Sequence, residues 1–380
     1  MFRARPSLPL YVGGFLGPFG GAIVAVLIPQ LRDAFEASTA QVAAAVPAYL
    51  VPFAALQLVS GTIGERLGRR RVVRAGYLAY TAFSLASAFA PGIEAFLASR
   101  AAQGAANAFL TPLLLAGLAE VTPRARLGRS VGTFAAVQTA AVAFAPLCGG
   151  LAGEVSWRLA FLAPAAVAAG LAFIVPPDSE RVPGAEPARL RALLERRVAL
   201  LSAAAFSAYL GVTGLTFLVA LRASDAFGLG STARGLLLAG FGFAGMIMGR
   251  PAGGTVDRLG RAPVAAGGAV ASAAVVALLG VAESPGALAV AWTAAGVGSA
   301  FLWAGLNTLV VEAVPGNRAG ATSVVSAFKF AGNAIAPLAW LPLYDHRTAL
   351  AFFAAAAVTL LCAALILPLP EPLAPGARSA

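Results

Sequence analysis

Apolar residues do not alternate or recur as a stripe along this chain; they fill runs of about twenty residues separated by short polar or arginine-bearing clusters. The runs lie at roughly 9 to 30, 40 to 64, 72 to 91, 93 to 118, 129 to 153, 157 to 176, 198 to 221, 232 to 254, 262 to 282, 286 to 311, 319 to 343 and 347 to 368. Each is long enough as a helix to cross a hydrocarbon core of ~30 Å. The pattern therefore predicts an all-α membrane protein with twelve transmembrane helices. Glycine and proline are frequent within the runs, which membrane helices tolerate because neighbouring groups re-satisfy the freed backbone and small residues admit close helix contact.

Composition agrees, with 59% hydrophobic and 11% charged residues in 380, far from the balance of a soluble domain. A net charge of +11 would suit a nucleic-acid surface, but the arginines are distributed as a membrane topology signal. Alternating the loops places Arg66, Arg69, Arg70, Arg71, Arg74, Arg124, Arg126, Arg129, Arg258, Arg261 and Arg318 on one side, together with both termini and the central linker. Arg32, Arg158, Arg222, Arg234 and Arg347 fall on the other. By the positive-inside rule the first side is cytoplasmic, so the expectation is a multi-pass inner-membrane protein with both termini inside and no nucleic-acid partner. Arg3 and Arg5 precede an apolar run of spanning length, which reads as a retained first helix. Cys148 and Cys362 both fall inside runs and read as free, buried thiols.

One offset lays the second half of the chain on the first. Gly61-Thr62-Ile63-Gly64-Glu65-Arg66-Leu67-Gly68-Arg69 corresponds to Gly253-Gly254-Thr255-Val256-Asp257-Arg258-Leu259-Gly260-Arg261, and 253 − 61 = 192. The same offset carries Gly104 onto Gly296, Glu120 onto Glu312 and Arg126 onto Arg318. The expected organisation is a six-helix bundle over 1–176, a cytoplasmic linker over 177–197 and a second six-helix bundle over 198–380. In the linker, Leu190, Leu193, Leu194 and Val198 among arginines suggest a short amphipathic helix at the membrane surface.

The segment from Gly61 to Arg71 resembles the loop between the second and third helices of the major facilitator superfamily, and Gly253 to Arg261 is a degenerate copy. That resemblance implies a gating latch made of Gly61, Glu65, Arg66, Gly68 and Arg69, with Asp257 and Arg258 in the second copy, whose charge-assisted contacts exist in one conformational state only. Arg100-Ala101-Ala102-Gln103-Gly104 resembles the fourth-helix motif of the drug and proton antiporter branches. Pro146, Gly149 and Gly150 are similar to the end of their fifth-helix packing motif, with Ala141 and Ala145 in place of its first two glycines. The family fold implied is two pseudo-symmetric six-helix bundles rocking around a central site.

Several polar residues point to that site. Arg100 lies seven residues, about 10 Å, inside its span, and Gln103, Asn107 and Thr111 follow it at helical spacing. Lys329 is the chain's single lysine. Counting eleven residues from Arg318 places it ~16 Å deep, near the midplane, with Ser326 and Asn333 one turn to either side. An intramembrane charge is expected to face protein or water and to have a function. Tyr209, Thr213 and Thr216 form a polar stripe on the seventh span, and Ser299, Trp303 and Asn307 another on the tenth. No Asp or Glu stands mid-span, and Gly20 occupies the first-helix region where many proton-coupled relatives carry an acid.

There is no nucleotide-binding loop or metal cluster, and the single histidine, His346, reads as a loop residue. No cofactor, metal or catalysis is expected. The reading is a monomeric secondary transporter moving a small, anionic or neutral drug or metabolite by alternating access, in the efflux direction and with protons as the coupling ion. Uptake or exchange of an organic anion without protons is the alternative, and a lipid-handling scaffold the alternative of another class.

Overall fold

The structure is a computed structural model and describes residues 7–122, 127–175, 195–313 and 318–369. Among the described residues every regular element is a helix. The first span runs as α1 (Leu8–Ala22), a 3-10 stretch (Ile23–Leu27) and α2 (Ile28–Phe35), and the second as α3 (Thr39–Ala43) and α4 (Ala45–Leu67). The third is α5 (Arg69–Ala88), and the fourth is α6 (Ile93–Asn107) with α7 (Leu110–Val121). The fifth and sixth are α8 (Leu127–Val155) and α9 (Leu159–Leu171). The seventh comprises α10 (Arg196–Gly211), a 3-10 turn and α11 (Thr216–Asp225), and α12 (Ser231–Leu259), α13 (Arg261–Gly280), α14 (Pro285–Ala313), α15 (Arg318–His346) and α16 (Thr348–Ile366) complete twelve.

Ten of these segments are long and apolar enough to cross a membrane. The third is long enough but opens with Arg69, Arg70, Arg71 and Arg74, and the sixth is a shorter apolar helix of 13 residues. The expected amphipathic linker helix at 190–194 lies outside the described residues.

The 192-residue repeat is present in the backbone as well as the sequence. α5 and α13 begin and end at equivalent positions, since 261 − 69 = 192 and 280 − 88 = 192. Each is preceded by a glycine in the left-handed region, Gly68 at φ 91° and Gly260 at φ 90°. A side chain there would be strained, so these turns require glycine.

Packing repeats too. A Cβ on Gly104 would come within 2.0 Å of the Tyr49 carbonyl oxygen, and one on Gly296 within 2.3 Å of that of Phe241, where 241 − 49 is again 192. In lipid the hydrophobic effect does not press helices together, so this intimate approach at small residues carries the packing.

Four spans are broken, the second at Ala44 between α3 and α4, and the breaks in the other three have local causes. Pro112 near the start of α7 lacks the N–H that would bond back into the preceding turn, and the helix interrupts at Ala108 and Phe109. Pro29 stands at the start of α2 just after the 3-10 stretch. In the seventh span, Gly211 and Gly214 flank the interruption at Val212.

The halves meet along α8 with α12 and along α4 with α15. A Cβ on Gly150 would lie 2.4 Å from the Ser231 carbonyl oxygen and one on Gly235 the same distance from that of Pro146. Pro146, Gly149 and Gly150 thus form part of a close helix contact, with Gly149 against Ile23 and Val26. Two expectations need correction. Cys148 is exposed on α8 rather than buried, because it lies on the helix face turned outward. His346 ends α15 rather than sitting in a loop, since Arg347 is the N-cap from which α16 starts.

Candidate functional site

Between the halves lies a cavity of about 470 Å³ walled by both. The first half supplies Tyr49, Leu50, Phe53, Asn107, Thr111 and Gln138; the second supplies Tyr209, Thr213, Asn307, Ser326, Lys329 and Asn333. All four broken spans reach this wall, the first through Ala25, the second through Val46 and Tyr49, the fourth through Asn107 and Thr111, and the seventh through Thr213 and Gly214. Irregular backbone at membrane depth is tolerated where it lines such a cavity.

Lys329 is the one formally charged residue on the described wall. Its Nζ stands 5.1 Å from the Tyr209 ring centroid, 5.1 Å from that of Phe330 and 5.7 Å from that of Trp303. The rings hold one another, with Tyr209 edge-on to Trp303 at 4.7 Å and to Phe330 at 6.3 Å. Aromatic faces offset part of the cost of placing an ammonium in this setting. Trp303 supports the ammonium and Tyr209 without being part of the cavity wall.

Arg100 and Gln103 are elsewhere. The polar stripe expected on the fourth span divides within α6, between Gln103 and Asn107: Asn107 and Thr111 border the cavity, whereas Arg100 is fully buried inside the first half. Its guanidinium donates to the Gly20 carbonyl at 2.9 Å and to Gln103, and lies over the Tyr49 ring at 4.3 Å. Gly20 belongs to the last turn of α1, where carbonyls lack intrahelical partners. Gln103 in turn bonds Ser84. Tyr49, on the cavity wall, therefore covers Arg100.

The repeat explains this arrangement. The residue equivalent to Arg100 is Trp292 (292 − 100 = 192), which donates its indole N–H to the Leu238 carbonyl at 3.2 Å and stacks on Phe241 at 4.6 Å. Phe241 is the equivalent of Tyr49. Arginine and tryptophan thus do the same two things in the two halves: stack on an aromatic ring and satisfy a backbone carbonyl.

The two ends of the cavity differ. At the end away from the arginine-rich loops, the halves are joined. Arg234, only 4% exposed, donates to the Gln30 side chain at 2.9 Å, the Leu229 carbonyl at 2.7 Å and the Val26 carbonyl at 3.5 Å. Gln30 bonds Ser231, and the Thr232 backbone N–H donates to Glu154 at 3.0 Å. At the arginine-rich end, Leu67 and Leu259 are 62% and 67% exposed, and Asp257 and Arg258 are exposed. Arg261 pairs with Glu312 at 2.7 Å within the second half, and Arg69 is buried. The side chains of Glu65 and Arg66 and the surroundings of Gly61 lie outside the described residues.

Sequence reasoning missed Tyr49, Phe53, Gln138 and Phe330 on the cavity wall and the Arg234–Gln30 contact. Gln138 carried a usable signal, a lone amide in an apolar run. The aromatic residues carried none, because a phenyl ring in a membrane helix is ordinary. Arg250, on α12 nine residues before Leu259, is exposed and stands apart from the cavity wall.

The chain matches the sequence profile of the Major Facilitator Superfamily over residues 10–248 and 201–380. It belongs to that superfamily. Among curated relatives of this facilitator is the tetracenomycin C resistance and export protein of Streptomyces glaucescens, 30% identical over 191 residues, 48% of this chain and 35% of the relative. The lincomycin resistance protein of Streptomyces lincolnensis is 31% identical over 37% of this chain and 29% of its own length. The multidrug efflux pump LfrA of Mycolicibacterium smegmatis is 31% identical over 37% and 28%. The matched segments thus span about a third of those relatives.

Solved structures with the same fold include the xylose transporter XylE of E. coli in a partially occluded inward-open conformation. It has a TM-score of 0.77 at 16% identity, covering 97% of this chain and 98% of that one. A bacterial homologue of the human lysosomal transporter Spinster has a TM-score of 0.74 at 16% identity, with 97% and 98% covered. This member of the superfamily therefore has its all-α, multi-pass membrane fold of two six-helix bundles.

Proposed function

We propose that this facilitator exports a small organic solute across the bacterial inner membrane by alternating access, with the arginine-rich end and both termini facing the cytoplasm. The carrying observation is the cavity between the halves, sealed at one end by Arg234 and its partners and bordered by a single charged side chain, Lys329. With the arginine-rich end inside, this is an inward-facing state. Export is supported by the resistance, export and efflux descriptions of the curated relatives.

The substrate reading is anionic or neutral, because Lys329 repels a cation and the described wall has no carboxylate to attract one. Protons are the proposed coupling ion, and Lys329, the one formally charged side chain on the described wall, is the residue whose replacement tests that coupling. The same observation favours a second reading, exchange of an organic anion without protons. Both place Lys329, Ser326, Asn333, Tyr209, Trp303, Asn307 and Asn107 at or beside the substrate, and both take the transporter to act as a monomer.

Proteoliposomes with and without an imposed pH gradient, loaded with a ligand found by thermal shift, separate the two. Gradient-driven export that vanishes in Lys329→Met while binding persists supports proton coupling through Lys329. Gradient-independent counterflow supports exchange, and absence of any ligand-dependent flux removes the transport reading.

A further inference from the structure

The outward surface of the third span changes character along its length. Ala75, Leu78, Ala82, Leu85 and Phe89 are exposed and share one face of α5 by their spacing, so this face meets lipid. Toward the arginine-rich end it turns basic: Arg70, Arg71, Arg74, Ala75 and Leu78 line one shallow depression, and all three arginines are exposed. The Arg74 Nε–H donates to the Ala172 carbonyl at 3.2 Å, at the C-terminal end of α9. That contact anchors the guanidinium and leaves its terminal nitrogens for another acceptor.

The repeat supplies the comparison. On α13, Pro263, Gly267 and Val270 are exposed at the positions of Arg71, Ala75 and Leu78, since 263 − 71 = 192. Ala262 and Ala266 stand at those of Arg70 and Arg74, while Arg261 keeps the charge of Arg69. The same turn and helix therefore form without these three charges. They also carry a cost where they stand. Arg71 and Arg74 are neighbours one turn apart, where like charges repel, and cations at the start of a helix oppose its dipole. α5 has no acidic residue in its first turn to offset either effect; an anion held by the arginines offsets both.

We propose that Arg70, Arg71 and Arg74 form a binding site for an anionic phospholipid, its phosphate held by the guanidiniums and its acyl chains laid along Ala75, Leu78, Ala82 and Leu85. Guanidinium forks match phosphate oxygens in charge and geometry. Leu78 lies ~10 Å beyond Arg71 along the helix, so a phosphate at the arginines brings its chains onto the apolar part of the same face. A soluble anion would leave that face unused, and a zwitterionic headgroup would bring a second cation to the arginines. Basic clusters at the cytoplasmic ends of spans are attracted to the anionic lipids of that leaflet. The site is separate from the cavity between the halves and does not depend on the substrate or the direction of transport.

Native mass spectrometry of the purified full chain in detergent tests this, with dioleoyl phosphatidylglycerol and dioleoyl phosphatidylcholine as probes and inorganic phosphate as competitor. Phosphatidylglycerol is expected to bind roughly fivefold or more tightly than phosphatidylcholine, to weaken with added salt, and to stay bound against an equal concentration of inorganic phosphate. Arg71→Gln/Arg74→Gln is expected to remove the preference while leaving phosphatidylcholine binding unchanged, which also shows the variant to be folded. The single variants Arg71→Gln and Arg74→Gln should each lose part of it. Arg250→Gln, which removes an exposed charge on α12, should keep it in full. Equal binding of the two lipids overturns the proposal, as does a preference that survives in the double variant or falls as far in Arg250→Gln. Displacement of the lipid by inorganic phosphate would show a site for a free anion instead and overturn it too. The transport reading stands apart from these outcomes, because it is judged by flux.

Discussion

Arg100 shows how far a side chain's role depends on what it faces. An arginine in a membrane span is costly unless it faces protein or water, and here it faces protein: the Gly20 carbonyl, Gln103 and the Tyr49 ring. Its equivalent Trp292 carries no charge and serves the same geometry. The arrangement predicts that Arg100→Leu leaves a buried carbonyl and amide without their donor, at a cost of about 1–3 kcal/mol. Its melting temperature in detergent should fall while ligand affinity stays within about threefold. Unchanged stability with lost affinity would place Arg100 in substrate binding instead.

At the scale of elements, the closed end depends on α2, α8 and α12 meeting through small residues and one buried arginine. Arg234 reaches from the second half to Gln30 and the Val26 carbonyl in the first, contacts that join the halves at this end. Arg234→Gln is therefore expected to shift the population toward opening there, since loss of a contact that joins the halves changes populations rather than the cavity itself. A cysteine placed at Thr111 reports this: labelling by an impermeant maleimide from the Asp345 side should rise several-fold. Gln30→Ala should act in the same direction, and the double variant should be less than additive, because both remove one interaction. Independent, additive effects would mean the two residues do not act together.

For the whole molecule, the two halves share one backbone plan and differ in charge placement. The helix ends on one side carry Arg69, Arg70, Arg71, Arg258 and Arg261, and this bias sets the expected orientation. Cysteines at Arg258 and Asp345 should be labelled from opposite sides of right-side-out vesicles, the first only after permeabilisation. Labelling of both from one side would overturn the topology and the inward-facing assignment.

Much of this architecture was legible in the chain. Apolar run length marked the membrane helices, ten of them long and apolar enough to cross a bilayer among the described residues, because a helix satisfies its backbone within the span itself. The 192-residue repeat specified two bundles, and it extended to glycines whose absent side chains admit a neighbouring backbone, Gly104 against Tyr49 and Gly296 against Phe241. The place of Lys329 along its helix, eleven residues beyond Arg318, followed from counting with a fixed rise.

What covers each residue did not follow. Helical spacing put Arg100 and Asn107 on one stripe of α6, but the ring of Tyr49 covers the first, which is fully buried, while the second borders the cavity. The aromatic surroundings of Lys329 come from α10, α14 and α15, and the seal at Arg234 joins residues 204 positions apart. Those contacts depend on how rigid helices are rotated and paired, which in lipid is decided by close packing and the satisfaction of buried polar groups rather than by the hydrophobicity that marks the spans.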